Sequence, residues 1–302
     1  MESDGAAAVT PKRQSPLAVR LYWGLVLLTV VALLVLGLRL LHWGEAMQSG
    51  TASYATSLGT CSVAEAPGRV GRHRLHTLKG QRYTLVTPAN YRADQRHALL
   101  LVLAPAGMNA ALSERFSGLT HTTTANGFLI AYANSAGSLR RTTIAPLGEV
   151  AEDIARQWCV AKDQVYLAGH SDGATSALAL AVDVPMTPQP AGLVLSGAGW
   201  TAADLEKTAC TGPMPALILH GARDQHFQGY GQPLFQWWAG CNRCQGAEVA
   251  DAAGCTRYLA CAADTMYCET PRSHWRWAAE PETAIRFLVR QRQGRLQQIS
   301  GP

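Results

Sequence analysis

Ser171 lies in Gly169-His170-Ser171-Asp172-Gly173, a Gly-x-Ser-x-Gly pattern between a short apolar run at 165–168 and a small-residue segment at 174–182. Strand, sharp turn and helix in that order make a nucleophile elbow, which lifts a serine hydroxyl clear of the sheet edge. The flanking glycines suit a turn that brings strand and helix too close for a Cβ. Such a pattern also recurs by chance, so it carries chemistry only if the chain supplies its partners.

A serine hydroxyl is a poor nucleophile until an imidazole takes its proton, and that imidazole needs an acid to hold its tautomer. Scaffolds with this elbow carry the three in the order serine, acid, histidine, each beyond the C-terminal end of a strand. The apolar run at 216–219 leads into His220-Gly221-Ala222-Arg223-Asp224, which places Asp224 in the acid's slot. Asp204, Glu248, Asp251 and Asp264 follow no buried run directly. Three histidines follow Ser171. His220 closes a strand and reads as structural. His226 stands too near Asp224 to be a separately positioned base, although it could line the pocket. His274 follows a strand expected around 266–269 and precedes the last helix, so it is the expected base. The oxyanion needs two preorganised N–H groups. One is expected from Asp172 and the other from Ala106, in the loop Ala104-Pro105-Ala106-Gly107-Met108, because Pro105 has no N–H to give.

The elements that must position these residues are buried strands alternating with helices. Apolar or alternating runs predict strands at 82–87, 99–104, 128–132, 165–168, 192–195 and 216–219, with helices at 111–125, 148–158 and 173–183. An amphipathic helix at 282–291 is expected to cover one sheet face. The alternation predicts an α/β fold with a mostly parallel sheet and helices on both faces. Hydrophobic residues at 48% and charged residues at 16% allow a large core. The net charge of +5 is scattered, with no basic run interleaved with aromatics, which argues against nucleic acid as a partner. No metal or organic cofactor is implied, and oligomeric state is left open. Trp200, Trp237, Trp238, Trp275 and Trp277 are candidates either for a substrate cleft or for the core.

Residues 21–38 carry no charge and lie between Arg20 and Arg39. A run of that length is that of a membrane span rather than a cleaved signal, and Arg39, Leu40, Leu41, His42 and Trp43 make poor cleavage context. Lys12, Arg13 and Arg20 outnumber Arg39, which predicts a cytoplasmic N-terminus and an exported domain, in the periplasm or at the cell exterior. Full secretion is the alternative. The expected organisation is a cytoplasmic tail at 1–20, a signal anchor at 21–41, a flexible linker at 42–60, the folded domain at 61–292 and a disordered tail at 293–302. The eight cysteines (Cys61, Cys159, Cys210, Cys241, Cys244, Cys255, Cys261 and Cys268) suggest disulfides in an oxidising compartment. Cys241-x-x-Cys244 also has zinc spacing, but no second pair follows at the usual distance.

With these residues placed, the chain resembles the exported esterases that include feruloyl esterases and poly(3-hydroxybutyrate) depolymerases. The resemblance covers about 58–290: Gly59-Thr60-Cys61, RYTLVTPANY, LLLVLAPAG, Trp158-Cys159 before VYLAGHSDG, LILHGARD, Ala239-Gly240-Cys241, Tyr258 to Cys261, and Ser273-His274-Trp275. It implies an α/β-hydrolase fold and hydrolysis of carboxylic esters such as feruloyl, acetyl or hydroxyalkanoate esters, with Ser171 as nucleophile, His274 as base and Asp224 as acid. Two positions depart from the family: Ala104-Pro105 stands where it usually has His-Gly, and Ala174 where a second glycine often follows the elbow. The alternatives are a serine peptidase or acyltransferase on the same scaffold, and a catalytically impaired surface-binding protein, the last suggested by the altered oxyanion loop.

Overall fold

The computed structural model describes residues 16–54, 58–62, 68–250 and 254–300. The expected tail at 1–20 falls largely outside these residues. Two compact units divide the chain, residues 1–45 and residues 46–302.

The first unit is built on helix α1 (Pro16–Ala46). Most of its described large apolar side chains from Leu21 to Leu38, among them Leu21, Trp23, Leu25 and Leu28, are exposed. Among the described residues no helix is long and apolar enough to cross a membrane. The side chains of Tyr22 and of residues 39–43, at the two ends of the expected anchor, are not among those described.

The second unit is a ten-stranded sheet in the order β1-β2-β4-β3-β5-β6-β7-β10-β9-β8. Its parallel centre consists of β4 (Leu129–Ala133), β3 (His97–Leu103), β5 (Val160–His170), β6 (Gly192–Ser196), β7 (Ala216–Arg223) and β10 (Thr265–Ser273). Antiparallel strands flank it, β1 (Arg72–His76) and β2 (Arg82–Val86) on one side, β9 (Cys255–Ala260) and β8 (Gln245–Ala250) on the other. All seven residues of β3 are buried. Side chains alternate across a strand, so Leu99, Leu101 and Leu103 enter one core and Leu100 and Val102 the other. Ile144, Leu147 and Ile154 from α4 (Arg141–Ala155), Ala174, Ala177 and Leu178 from α5 (Asp172–Val182), Leu205 from α6 (Ala202–Glu206), and Leu234 and Trp238 from α7 (Gly231–Cys241) fill the first core. Ile285, Phe287 and Leu288 from α8 (Pro281–Ser300) join the second. Helices therefore pack on both faces, as the alternation of buried runs predicts.

Several expectations need correction. The helix expected over 111–125 is two helices, α2 (Ala110–Ser117) and α3 (Thr120–Ala125), because Gly118 ends the first in a left-handed cap with φ 65°. The helix expected at 148–158 begins earlier, at Arg141. The stretch 42–60 is not simply a flexible linker. Gly50 N–H donates to Thr124 Oγ1 at 2.7 Å, and Ala52 exchanges hydrogen bonds of 2.8 and 2.9 Å with the Asn90 amide. The segment carries backbone polar groups that the domain surface satisfies, which holds it there. The C-terminal stretch from 293 is likewise not a disordered tail in full, since α8 runs on to Ser300 and Arg295 donates to the Ala191 carbonyl at 3.1 Å.

All eight cysteines are paired: Cys61–Cys159, Cys210–Cys241, Cys244–Cys261 and Cys255–Cys268. The zinc reading of Cys241 and Cys244 does not fit, because the two thiols belong to different disulfides.

Candidate active site

Strand β5 ends at His170 and α5 begins at Asp172, leaving Ser171 alone to make the turn. Its backbone sits at φ 54°, ψ −123°, a left-handed conformation that an L side chain adopts only under constraint. Two hydrogen bonds supply the constraint: Ser171 N–H donates to Ser196 O at 3.0 Å, and Thr175 N–H donates to Ser171 O at 2.9 Å. A Cβ on Gly169 would run into the backbone of Gly173, and one on Gly173 into the Leu103 carbonyl. Both glycines are there for close approach, as the pattern predicts.

The two expected partners meet the serine. His274 Nε2 lies 2.9 Å from Ser171 Oγ, and His274 Nδ1 lies 2.7 Å from Asp224 Oδ2. An ionised carboxylate only accepts, so Nδ1 carries the ring proton and Nε2 is left as the acceptor for the serine hydroxyl. Asp224 follows β7, and His274 follows β10 directly. β7 and β10 are parallel neighbours, so the two loops emerge side by side at one sheet edge. All three side chains are buried. Burial pushes the Asp224 carboxyl up, but the Phe227 N–H, His274 and the His226 N–H outweigh it, and its pKa lies below the usual carboxylate value. The two N–H groups each donate to Oδ1 at 2.9 Å. Asp224 is thus held as an anion with one oxygen committed to backbone and the other to His274.

Asp172 and Ala106, the expected oxyanion donors, line one cavity. Asp172 is the first residue of α5, where backbone N–H groups have no intrahelical acceptor. The loop after β3 closes as a turn in which Met108 N–H donates to Pro105 O at 3.1 Å, with Gly107 at φ 70°. A type II turn needs a positive φ at that position and tolerates proline early. The turn runs from Pro105 to Met108, with Gly107 supplying the positive φ, and Ala106 N–H is not the one consumed by its hydrogen bond.

No protein-family model matches the sequence, and no curated protein matches it. Solved structures do. An acetyl xylan esterase from Aspergillus awamori aligns with TM-score 0.52 at 12% identity, over 72% of this chain and 98% of its own. A thermophilic esterase from Thermogutta terrifontis aligns with TM-score 0.52 at 12% identity, over 76% and 93%. Prolyl oligopeptidase B from Galerina marginata aligns with TM-score 0.51 at 12% identity, over 73% of this chain and 36% of its own. Likeness at such identity speaks for the fold, and it agrees with the strand order and the elbow.

The chain has the α/β-hydrolase fold.

Within this α/β-hydrolase fold one further residue, not among the candidates read from the sequence, braces the Ser171–His274–Asp224 cluster: His170. It is buried, with Nε2 2.7 Å from the His274 carbonyl oxygen and Nδ1 2.9 Å from Ser196 Oγ. The carbonyl can only accept, so Nε2 donates and Nδ1 accepts from the serine hydroxyl. Ser196 Oγ in turn accepts the Ala278 N–H at 3.0 Å. Burial, then the neighbouring His274, pushes His170 down to about 4, so it is neutral at physiological pH. The only sequence signal was a histidine at the strand end beside the nucleophile, and nothing in the spacing linked it to residues 274–278. His220 is buried in β7 and His226 is exposed, its ring stacked on His274 with centroids 4.9 Å apart. Trp238 and Trp277 belong to the core, whereas Trp275, at 82% exposure, stands beside His274 at the site's rim.

Proposed function

We propose that this protein is a serine carboxylic-ester hydrolase working through an acyl-enzyme. The observation that carries the reading is the continuous hydrogen-bonded chain from Ser171 Oγ through His274 to Asp224 Oδ2, with distances of 2.9 and 2.7 Å. His274 Nε2 takes the hydroxyl proton as Ser171 Oγ attacks the ester carbonyl carbon. The carbonyl oxygen becomes the oxyanion and is met by the N–H groups of Asp172 and Ala106. As that intermediate collapses, His274 returns the proton to the leaving alcohol and an acyl-serine ester remains. Water, deprotonated by His274, then attacks the acyl group, releases the acid and restores Ser171. Asp224 stays ionised throughout and stabilises the imidazolium that forms in each half-reaction.

Substrates of the class implied by the family resemblance, extracellular or polymer-derived esters, fit this chemistry. The likeness to an acetyl xylan esterase supports that class, and the likeness to a prolyl oligopeptidase keeps peptide bonds or acyl transfer as the second reading. The altered oxyanion loop favours the alternative of a catalytically impaired surface-binding protein. The closed turn at Pro105–Met108 supports an active one. A panel of p-nitrophenyl esters beside peptide p-nitroanilides tests the reading: turnover of esters well above peptides is expected, and peptide turnover equal to or above ester turnover would overturn it.

The domain is proposed to be exported and held at the membrane by residues 21–41. Support comes from the exposed apolar side chains of α1, the excess of basic residues before the uncharged run 21–38 and the four disulfides, which persist in oxidising compartments.

A further inference from the structure

The cavity beside the two oxyanion donors has a volume of only about 40 Å³. A single buried water occupies about 10–15 Å³, so a cavity of this size takes a short group and excludes a long one. Its walls are backbone and small side chains: Ala104, Ala106 and Gly107 on one side, Ser135 to Ser138 opposite, and Asp172 with Ser176 along α5. Leu139, 46% exposed, stands at its rim.

These walls are tied together. Ser135 N–H donates to Met108 O at 3.1 Å, and Ala110 N–H donates to Asn134 Oδ1 at 2.8 Å, which joins the loop after β4 to the oxyanion loop. The far end of the β4 loop is fixed to the start of α4, where Thr143 Oγ1 donates to Ser138 O at 2.8 Å. Widening the cavity means breaking these bonds.

His274 and the rings around it do not line this cavity. His274 must hand its proton to the leaving alcohol, which places the alcohol on the His274 side. That side carries His226, Phe227 and Trp275, with ring centroids 4.9, 5.0 and 6.2 Å from His274. Trp275 and His226 are open to solvent.

We propose that the cavity between the loops 104–107 and 135–139 is the acyl subsite and selects acyl groups of two or three carbons, while the alcohol lies on the open aromatic flank and is unrestricted in size. The inference rests on the esterase reading and sharpens it: acetyl esters of large alcohols are substrates, and aromatic or long-chain acyl esters are not.

The test is kcat/KM of the full-length chain on p-nitrophenyl acetate, butanoate, hexanoate and octanoate, which share one leaving group. A fall of about tenfold or more from acetate to hexanoate is expected, since an overfilled pocket discriminates at least as well as one missing a methylene. Leu139→Ala, at the rim, should raise the hexanoate-to-acetate ratio, and Ser135→Val, which fills the pocket, should lower the butanoate-to-acetate ratio. Hexanoate turned over as well as acetate would overturn the inference and leave the esterase reading standing. So would ratios in both variants equal to those of the natural chain. Hydrolysis of none of the four would overturn the esterase reading and this inference with it.

Discussion

His170 shows how one residue beside the nucleophile disciplines another a hundred positions away. It is held between Ser196 Oγ and the His274 carbonyl, so its ring sets the path of the loop that carries His274, the proposed base. His170→Ala would leave the Ser196 hydroxyl proton without an acceptor and the His274 carbonyl without this donor, while Ser196 Oγ keeps the Ala278 N–H, at a cost of about 1–3 kcal/mol in stability. Its kinetic signature should be a fall in kcat with KM little changed, and partial recovery in His170→Gln, whose amide can still donate to the carbonyl. The same residue makes stability depend on pH. Its folded pKa, about 4, lies below the ordinary 6.5, so the unfolded chain takes the proton first. The contribution is complete above about pH 6.5 and is lost as the pH falls through about 4. Urea unfolding at pH 7 and pH 4.5 should therefore show the natural chain losing on the order of 2 kcal/mol more than His170→Gln across that interval. Equal losses would mean that His170 is not held neutral by the fold.

At the scale of elements, the elbow depends on how closely α5 packs over β3 and β5. A Cβ at Gly173 meets the Leu103 carbonyl, backbone that cannot swing aside. Gly173→Ala should therefore cost at least about 3 kcal/mol of stability and most of the activity, read by thermal unfolding and ester turnover together. Activity retained in full would mean the elbow has slack that the packing denies. These elements were legible in the sequence because each leaves a local trace. Fully apolar runs mark the parallel strands, and the elbow, Asp224 and His274 each follow such a run. β1, β8, β9 and α7 were not. β1 and β9 are half exposed and carry arginines, so their runs look like loops, and α7 packs its Phe235 and Trp238 in a pattern that the clustered cysteines obscured. The pin from His170 to the His274 loop was invisible for a different reason: it joins distant segments through a carbonyl, and backbone atoms leave no signature in residue type.

For the whole molecule, the sheet serves to deliver three loops to one edge, and the disulfides hold the chain around it. Cys61–Cys159 joins the start of the domain to the residue before β5, across a sequence separation of 98. Closing a loop of that size restricts the unfolded chain by about 4–5 kcal/mol in the chain-entropy account. Cys255–Cys268 fastens β9 to β10, the strand that ends in Ser273 and leads into the base. The proposed anchor belongs to this scale as well. Removing residues 1–45 should shift the protein from the membrane pellet to the soluble fraction without loss of ester turnover, and an unchanged distribution would contradict the anchor. The central claim, that Ser171 is a nucleophile activated by His274 and Asp224, is tested most directly by p-nitrophenyl acetate hydrolysis in the natural chain and Ser171→Ala. A loss of about 10⁴-fold or more in kcat is predicted, with an acetylated Ser171 peptide found by mass spectrometry only in the natural chain. Turnover within a few-fold of the natural chain in Ser171→Ala would contradict the account.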